Sequence, residues 1–182
     1  SKLIVCLTGM PGSGKSTIVS ALKTKGFEAL NLGDGVRAEA KRRNLEPTGD
    51  NLGKLMLELR EKNGPGAIAA LLTEPIKSSQ SKVIIIDGVR STAEIEVLKN
   101  VGSVKLLSIE ATADTRYKFL SSRGRSDDPT TREKFEERDN RELGVGIGES
   151  IAIADETISN SGITLDELAE LASKAIEKWI ET

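Results

Sequence analysis

Histidine is absent from this chain of 182 residues. That excludes a histidine general base, a serine-histidine pair and a histidine metal ligand. The single cysteine, Cys6, forbids an internal disulfide framework and fits a reducing compartment. It lies inside an apolar run with no second cysteine to activate it, so it reads as a buried packing thiol. No apolar run approaches the roughly 18 residues of a spanning helix, and the longest is the six residues Ala67 to Leu72. No basic stretch precedes an apolar one in the manner of a signal peptide, so a cytoplasmic location is expected. A formal net charge of −2, from 26 Lys+Arg against 28 Asp+Glu, argues against a nucleic-acid or membrane-surface binder. No obligate protein partner is evident either.

What is present is an alternation of short strands and helices. Lys2 to Thr8 is apolar, closes at Gly9, and reads as a strand buried on both faces. Ser16 to Lys25 reads as a helix and Phe27 to Leu32 as a second strand. Asp34 is expected to cap a helix running from Gly35 to Arg43. Leu52, Leu55, Met56 and Leu59 form the stripe of a further helix. Another is expected from Pro65 to Pro75. Val83-Ile-Ile-Ile86, four consecutive β-branched residues, is the clearest buried strand and ends on Asp87. A helix (Thr92 to Asn100), a strand (Ser103 to Ile109) and a helix (Asp114 to Ser122) follow. Thr131 to Leu143 carries only Phe135 and Leu143 as large apolar residues, so that helix is expected to project from the body. Asp155 to Ser159 reads as a last strand. Thr164 to Glu167 is a capping box opening a helix that turns Leu165, Leu168, Ala172, Ile176 and Trp179 inward. The alternation implies one α/β domain, 1–182, around a mostly parallel sheet.

Gly9-Met10-Pro11-Gly12-Ser13-Gly14-Lys15-Ser16-Thr17 matches G-x-x-x-x-G-K-[ST], between a buried strand and a helix. Glycines let successive N–H groups converge on phosphate oxygens. Lys15 charges the β/γ-phosphates, and the Ser16 hydroxyl can ligate Mg²⁺. A bare glycine turn does not explain lysine followed by serine. Asp87, at the carboxyl edge of the sheet, reads as the carboxylate that organises Mg²⁺ through water. The alternative is a helix cap or an ion-pair partner for Arg90.

The segment from Arg116 to Arg141 holds six of the eleven arginines and two of the fifteen lysines. Arginine suits bidentate phosphate contacts, whereas lysine suffices for solubility. A mobile arginine-rich lid over the triphosphate, about residues 123–143, follows, with Arg125 and Arg138 the first choices for contact. The competing reading is a solvated helix laced by its interspersed carboxylates.

These motifs resemble those of the nucleoside monophosphate kinases. The phosphate loop looks like the adenylate-kinase loop, Leu32-Gly-Asp-Gly-Val-Arg37 resembles T-G-D-x-L-R, and Asp87-Gly-Val-Arg90 resembles D-G-F-P-R. Arg125-Ser-Asp-Asp128 is similar to the R-x-D-D of the lid. Ile158-Ser-Asn160-Ser-Gly162 is similar to the loop beside the donor adenine. Over nearly the whole chain the sequence is similar to an archaeal group of adenylate-kinase-related, dephospho-CoA-kinase-like proteins. The resemblance implies a P-loop kinase fold, with about five parallel strands, helices on both faces and a helical lid insertion. It implies an ATP site at Gly9 to Thr17 with Asn160, an acceptor site at Asp34, Arg37, Gly88 and Arg90, and an acceptor-binding helical region of about 34–79. It further implies Mg²⁺-ATP as donor and AMP as acceptor, so the expected partners are small nucleotides. Two other readings stay open: a kinase for another phosphorylated metabolite such as dephospho-CoA, and an AMP-responsive NTPase or nucleotide sensor.

Overall fold

The computed structural model describes residues 2–124 and 128–182. In chain order the elements are β1 (Leu3–Thr8), α1 (Lys15–Thr24), β2 (Glu28–Asn31), α2 (Leu32–Arg42), α3 (Gly49–Asn63), α4 (Ala67–Ala70), α5 (Thr73–Ser78) and β3 (Val83–Asp87). They continue with α6 (Thr92–Leu98), β4 (Ser103–Glu110), α7 (Ala113–Arg123), α8 (Arg132–Val145), α9 (Ile147–Ala152), β5 (Glu156–Ser159) and α10 (Leu165–Glu181). The strands form one parallel sheet in the order β2-β3-β1-β4-β5.

β1 is central, and its alternation serves two cores at once. Ile4 and Cys6 join Ile84 and Ile86 in a cluster under α2 to α6. Val5 and Leu7 join Ile85 and Leu107 in a cluster under α1 and α10. Cys6 is fully buried among apolar neighbours, and that burial pushes its thiol far up, as a packing residue requires. No described helix is long and apolar enough to cross a membrane.

Four details depart from the sequence expectation. β2 runs into α2 without a loop. Asn31, not Asp34, is therefore the N-cap, while Asp34 sits at the third helical position and closes a capping box onto the Asn31 N–H. The stretch expected as one helix between Pro65 and Pro75 is two short ones, α4 and α5. Leu165 is exposed, although the rest of the expected α10 face is buried or packed against the core.

The fourth departure is α8, which does not project. Phe135 is 1 % exposed, edge-on to Tyr117 on α7. Arg138, Asp139 and Glu142 are sheltered on the same helical face. The inward stripe of α8 is thus one aromatic and three charged residues, which a count of apolar positions cannot find.

Candidate active site

The loop from Gly9 to Gly14 turns over the carboxyl end of β1 and delivers the chain into α1. Gly12 has φ +84°, and a Cβ there would stand 2.8 Å from the Arg116 carbonyl oxygen. Glycine is therefore required twice over, by conformation and by space. Gly14 is the N-cap of α1 and supplies no side-chain cap, so the first N–H groups of the helix remain available to an anion. Ser13 Oγ is buried with no hydrogen-bond partner. Asn160, expected beside a donor base, donates from Nδ2 to the Ser13 carbonyl at 3.0 Å, while its own N–H binds Glu110 O at 2.7 Å. Its side chain braces the phosphate loop against β5.

Beyond the loop lies a cavity of about 320 Å³ between the sheet edge and α2, α3, α6 and α8. Gly9, Pro11, Lys15, Arg37, Asp87, Gly88, Arg90 and Arg138 all reach it, so residues from four separate segments meet in one space. Asp34 is not on the wall; it pairs with Arg37 and holds that guanidinium. Arg125 lies outside the described residues.

Lys15 is the electrostatic centre of the cavity. Burial lowers its pKa; Asp87 and Glu142 oppose that shift, while Arg90 and Arg138 add to it. Asp87 Oδ2 accepts from Asn31 Nδ2 at 3.4 Å, and Oδ1 is buried with no partner. Neither competing role for Asp87 is realised. The cap of α6 is Ser91, and the ion-pair partner of Arg90 is Glu142, at 3.2 Å from Nε. A buried Asp87 oxygen with no donor, coupled to the Lys15 charge, suits a carboxylate that would hold Mg²⁺ through water, and Ser16 is half-buried at the start of α1. No group of three or more carboxylates or thiolates able to cage a metal occurs among the described residues.

Three charged residues of the site escape the sequence motifs, Arg60, Glu142 and Arg116, while a fourth, Glu94, stands four residues after Arg90 of the Asp87 to Arg90 motif. Arg60 follows Leu52 and Met56 at helical spacing on α3, and all three line the cavity. Glu94 is 2 % exposed, and its Oε1 accepts from the N–H groups of Arg90 and Ser91 at 2.8 and 3.1 Å. Burial pushes its carboxyl up, against the pull of those N–H groups and of the Arg60 and Arg90 charges. Glu142 stands one helical turn after Arg138, a spacing that could have marked it. Arg116 contacts the Pro11 carbonyl and Asp139, behind the loop.

A phosphate loop closing the central strand, an all-parallel sheet with β1 in the middle and a helical cover over the cavity define a P-loop kinase fold. Solved structures share it. One is TT1252 from Thermus thermophilus (TM-score 0.69, 21 % identity, covering 97 % of each chain). Another is shikimate kinase from Bacteroides thetaiotaomicron (TM-score 0.64, 16 % identity, covering 97 % of this chain and 99 % of that one). A family model described as an AAA domain matches residues 8–136. The chain belongs to that family, and it also belongs with the UPF0200 proteins. It is 38 % identical to a UPF0200 protein of Hyperthermus butylicus, covering 97 % of this chain and 95 % of the relative. It is 41 % identical to one from Pyrococcus abyssi, covering 87 % of each.

Proposed function

We propose that this protein is an ATP-dependent phosphotransferase that moves the γ-phosphate of Mg²⁺-ATP to a nucleoside monophosphate, with AMP the acceptor. The observation that carries the reading is the single cavity in which Lys15 and Asp87 face Arg37 and Arg90. Donor phosphates rest on the loop from Gly9 to Thr17 and the start of α1. The acceptor phosphate rests between Arg37 and Arg90. Arg138 adds charge from α8, and Arg125 is proposed to do so from the segment before it. Ser16 and Asp87 would hold Mg²⁺, which neutralises charge on the transferring group. No base is needed, because the attacking phosphate oxygen is already ionised, and alignment with charge stabilisation suffices. Leu52, Met56 and Ile68 offer an apolar wall for the flat part of the acceptor.

A hydroxyl-bearing metabolite is the second reading. It is favoured by a buried carboxylate oxygen without a hydrogen-bond partner, Asp87 Oδ1, which could take a hydroxyl proton. A panel of acceptors incubated with Mg²⁺-ATP, with nucleotide products resolved, decides. ADP formed stoichiometrically from AMP and ATP is the expected result. A phosphorylated non-nucleotide product selects the second reading, and ADP with free phosphate alone marks an NTPase.

A further inference from the structure

Two carbonyl groups of the phosphate loop are held by side chains from distant elements. Arg116 Nη1, on α7, donates to the Pro11 carbonyl at 3.0 Å. Asn160 Nδ2, just after β5, donates to the Ser13 carbonyl at 3.0 Å. A trans peptide sets its C=O and the following N–H on opposite sides of one plane. Fixing the Pro11 oxygen therefore fixes the Gly12 N–H in the reverse direction, and fixing the Ser13 oxygen does the same for the Gly14 N–H. Neither N–H has an acceptor among the described residues, whereas the Ser13 N–H between them closes the loop's own turn onto the Met10 carbonyl at 3.2 Å. Two unused donors, each with its direction set from behind, thus stand at the start of α1, where a phosphate would rest.

We propose that Arg116 and Asn160 are positioning residues for the donor phosphates, Arg116 aiming the Gly12 N–H and Asn160 the Gly14 N–H. This rests on the proposed donor site in the phosphate loop and adds the groups that set its direction. Neither side chain lines the cavity, and each acts through one peptide unit. A donor already turned to its target binds more tightly than one that must turn, because binding then costs no reorganisation. The glycines make the support necessary. Gly12 and Gly14 both have positive φ, and without a Cβ each peptide could turn over and present an oxygen to the phosphate. The Arg116 support is itself held, because Asp139 on α8 takes both Nη groups and Phe135 packs against the guanidinium. Through Arg116, the helix that brings Arg138 to the cavity also governs a donor of the phosphate loop.

The test uses calorimetry on the full chain with inorganic tripolyphosphate, a non-hydrolysable ATP analogue and AMP, at a temperature where melts show each variant folded. Asn160→Ala removes one donor. Arg116→Lys cannot serve both Asp139 oxygens and the Pro11 carbonyl together. Both variants leave the local charge unchanged, so a loss of affinity reports direction and not charge. Each should weaken tripolyphosphate and the ATP analogue alike, by roughly tenfold, and leave AMP nearly as before. If Arg116→Lys does not fold, Asp139→Asn takes its place. That variant loosens the same guanidinium, and weaker tripolyphosphate binding there would run against its added positive charge. Folded variants that bind all three ligands as wild type does reduce both residues to structural braces and overturn the inference, while the donor site stands. A loss for the ATP analogue without one for tripolyphosphate places Asn160 at the donor base and overturns its role here. No binding of tripolyphosphate or the ATP analogue by wild type overturns this inference and the proposed donor site together.

Discussion

Arg116 on α7 and Asp139 on α8 form a two-pronged ion pair, with Nη1 to Oδ1 at 2.9 Å and Nη2 to Oδ2 at 2.8 Å. The same Nη1 also donates to the Pro11 carbonyl at 3.0 Å, and the guanidinium lies over the Phe135 ring. One buried side chain therefore ties the phosphate loop to the helix that carries Arg138 and Glu142. Breaking a buried pair from one side leaves an uncompensated charge and costs about 3–5 kcal/mol. Arg116→Met and Asp139→Asn should each lower stability on that scale. The double variant should lose clearly less than the sum. A urea double-mutant cycle checks this, and additive losses would mean that the two residues act separately.

Lys15→Met should abolish transfer without lowering stability. The lysine is a charge whose folded pKa lies below its ordinary 10.5. Between the two values the unfolded chain binds the extra proton, so wild-type stability rises with pH toward 10.5. The variant should lack that rise and melt no lower than wild type at neutral pH. Thermal melts across the alkaline range, paired with a transfer assay, test both halves. A near wild-type rate would refute the role of the loop.

Arg37→Ala and Arg90→Ala should each weaken AMP by roughly 10- to 150-fold, the worth of a charge-assisted contact. A non-hydrolysable ATP analogue should bind nearly as before. Lysine at either position should rescue in part, since it keeps the charge and loses the fork. Equal losses for both nucleotides would place these arginines in the donor site or in the fold.

Glu142→Gln should act in the opposite direction. Its carboxylate stands 3.2 Å from Arg90 Nε, where an acceptor phosphate would compete for the same guanidinium. Removing that competitor should tighten AMP roughly fivefold, about 1 kcal/mol for a partly exposed pair. Titration of the variant with AMP is the check. Weakened binding would show that Glu142 aims Arg90 rather than competing for it.

The parts of this molecule legible in its sequence are those whose causes are local. The phosphate loop is contiguous, and its glycines and lysine carry their reason with them. β1 and β3 announce themselves because a strand buried on both faces must be apolar at every position. Asp34 misled because it is a good cap. It serves instead from the third helical position, since Asn31 ends a strand and begins a helix in one step. The placement of α8 was hidden because its inward face is charged, so burial there follows from Arg116 and Arg90 on other elements. Arg60 was hidden for the same reason. Nothing near it signals a site until α3 and α6 face each other across the cavity, whereas Glu94 follows Arg90 of the Asp87 to Arg90 motif by four residues.

The strand order has a consequence for how this chain is made. β1 precedes the other strands of the sheet, yet its neighbours begin at Val83 and Ser103, each paired to Leu3. An unpaired, largely apolar segment must therefore wait while residues 9–82 are made. Its pairing closes long loops, which slows folding. During that interval the strand that supports the phosphate loop is the segment most open to wrong pairing with other chains. The loop itself cannot settle until Asn160 arrives to brace it. The phosphate loop is thus among the last parts of the fold to be completed, although it precedes every helix in sequence.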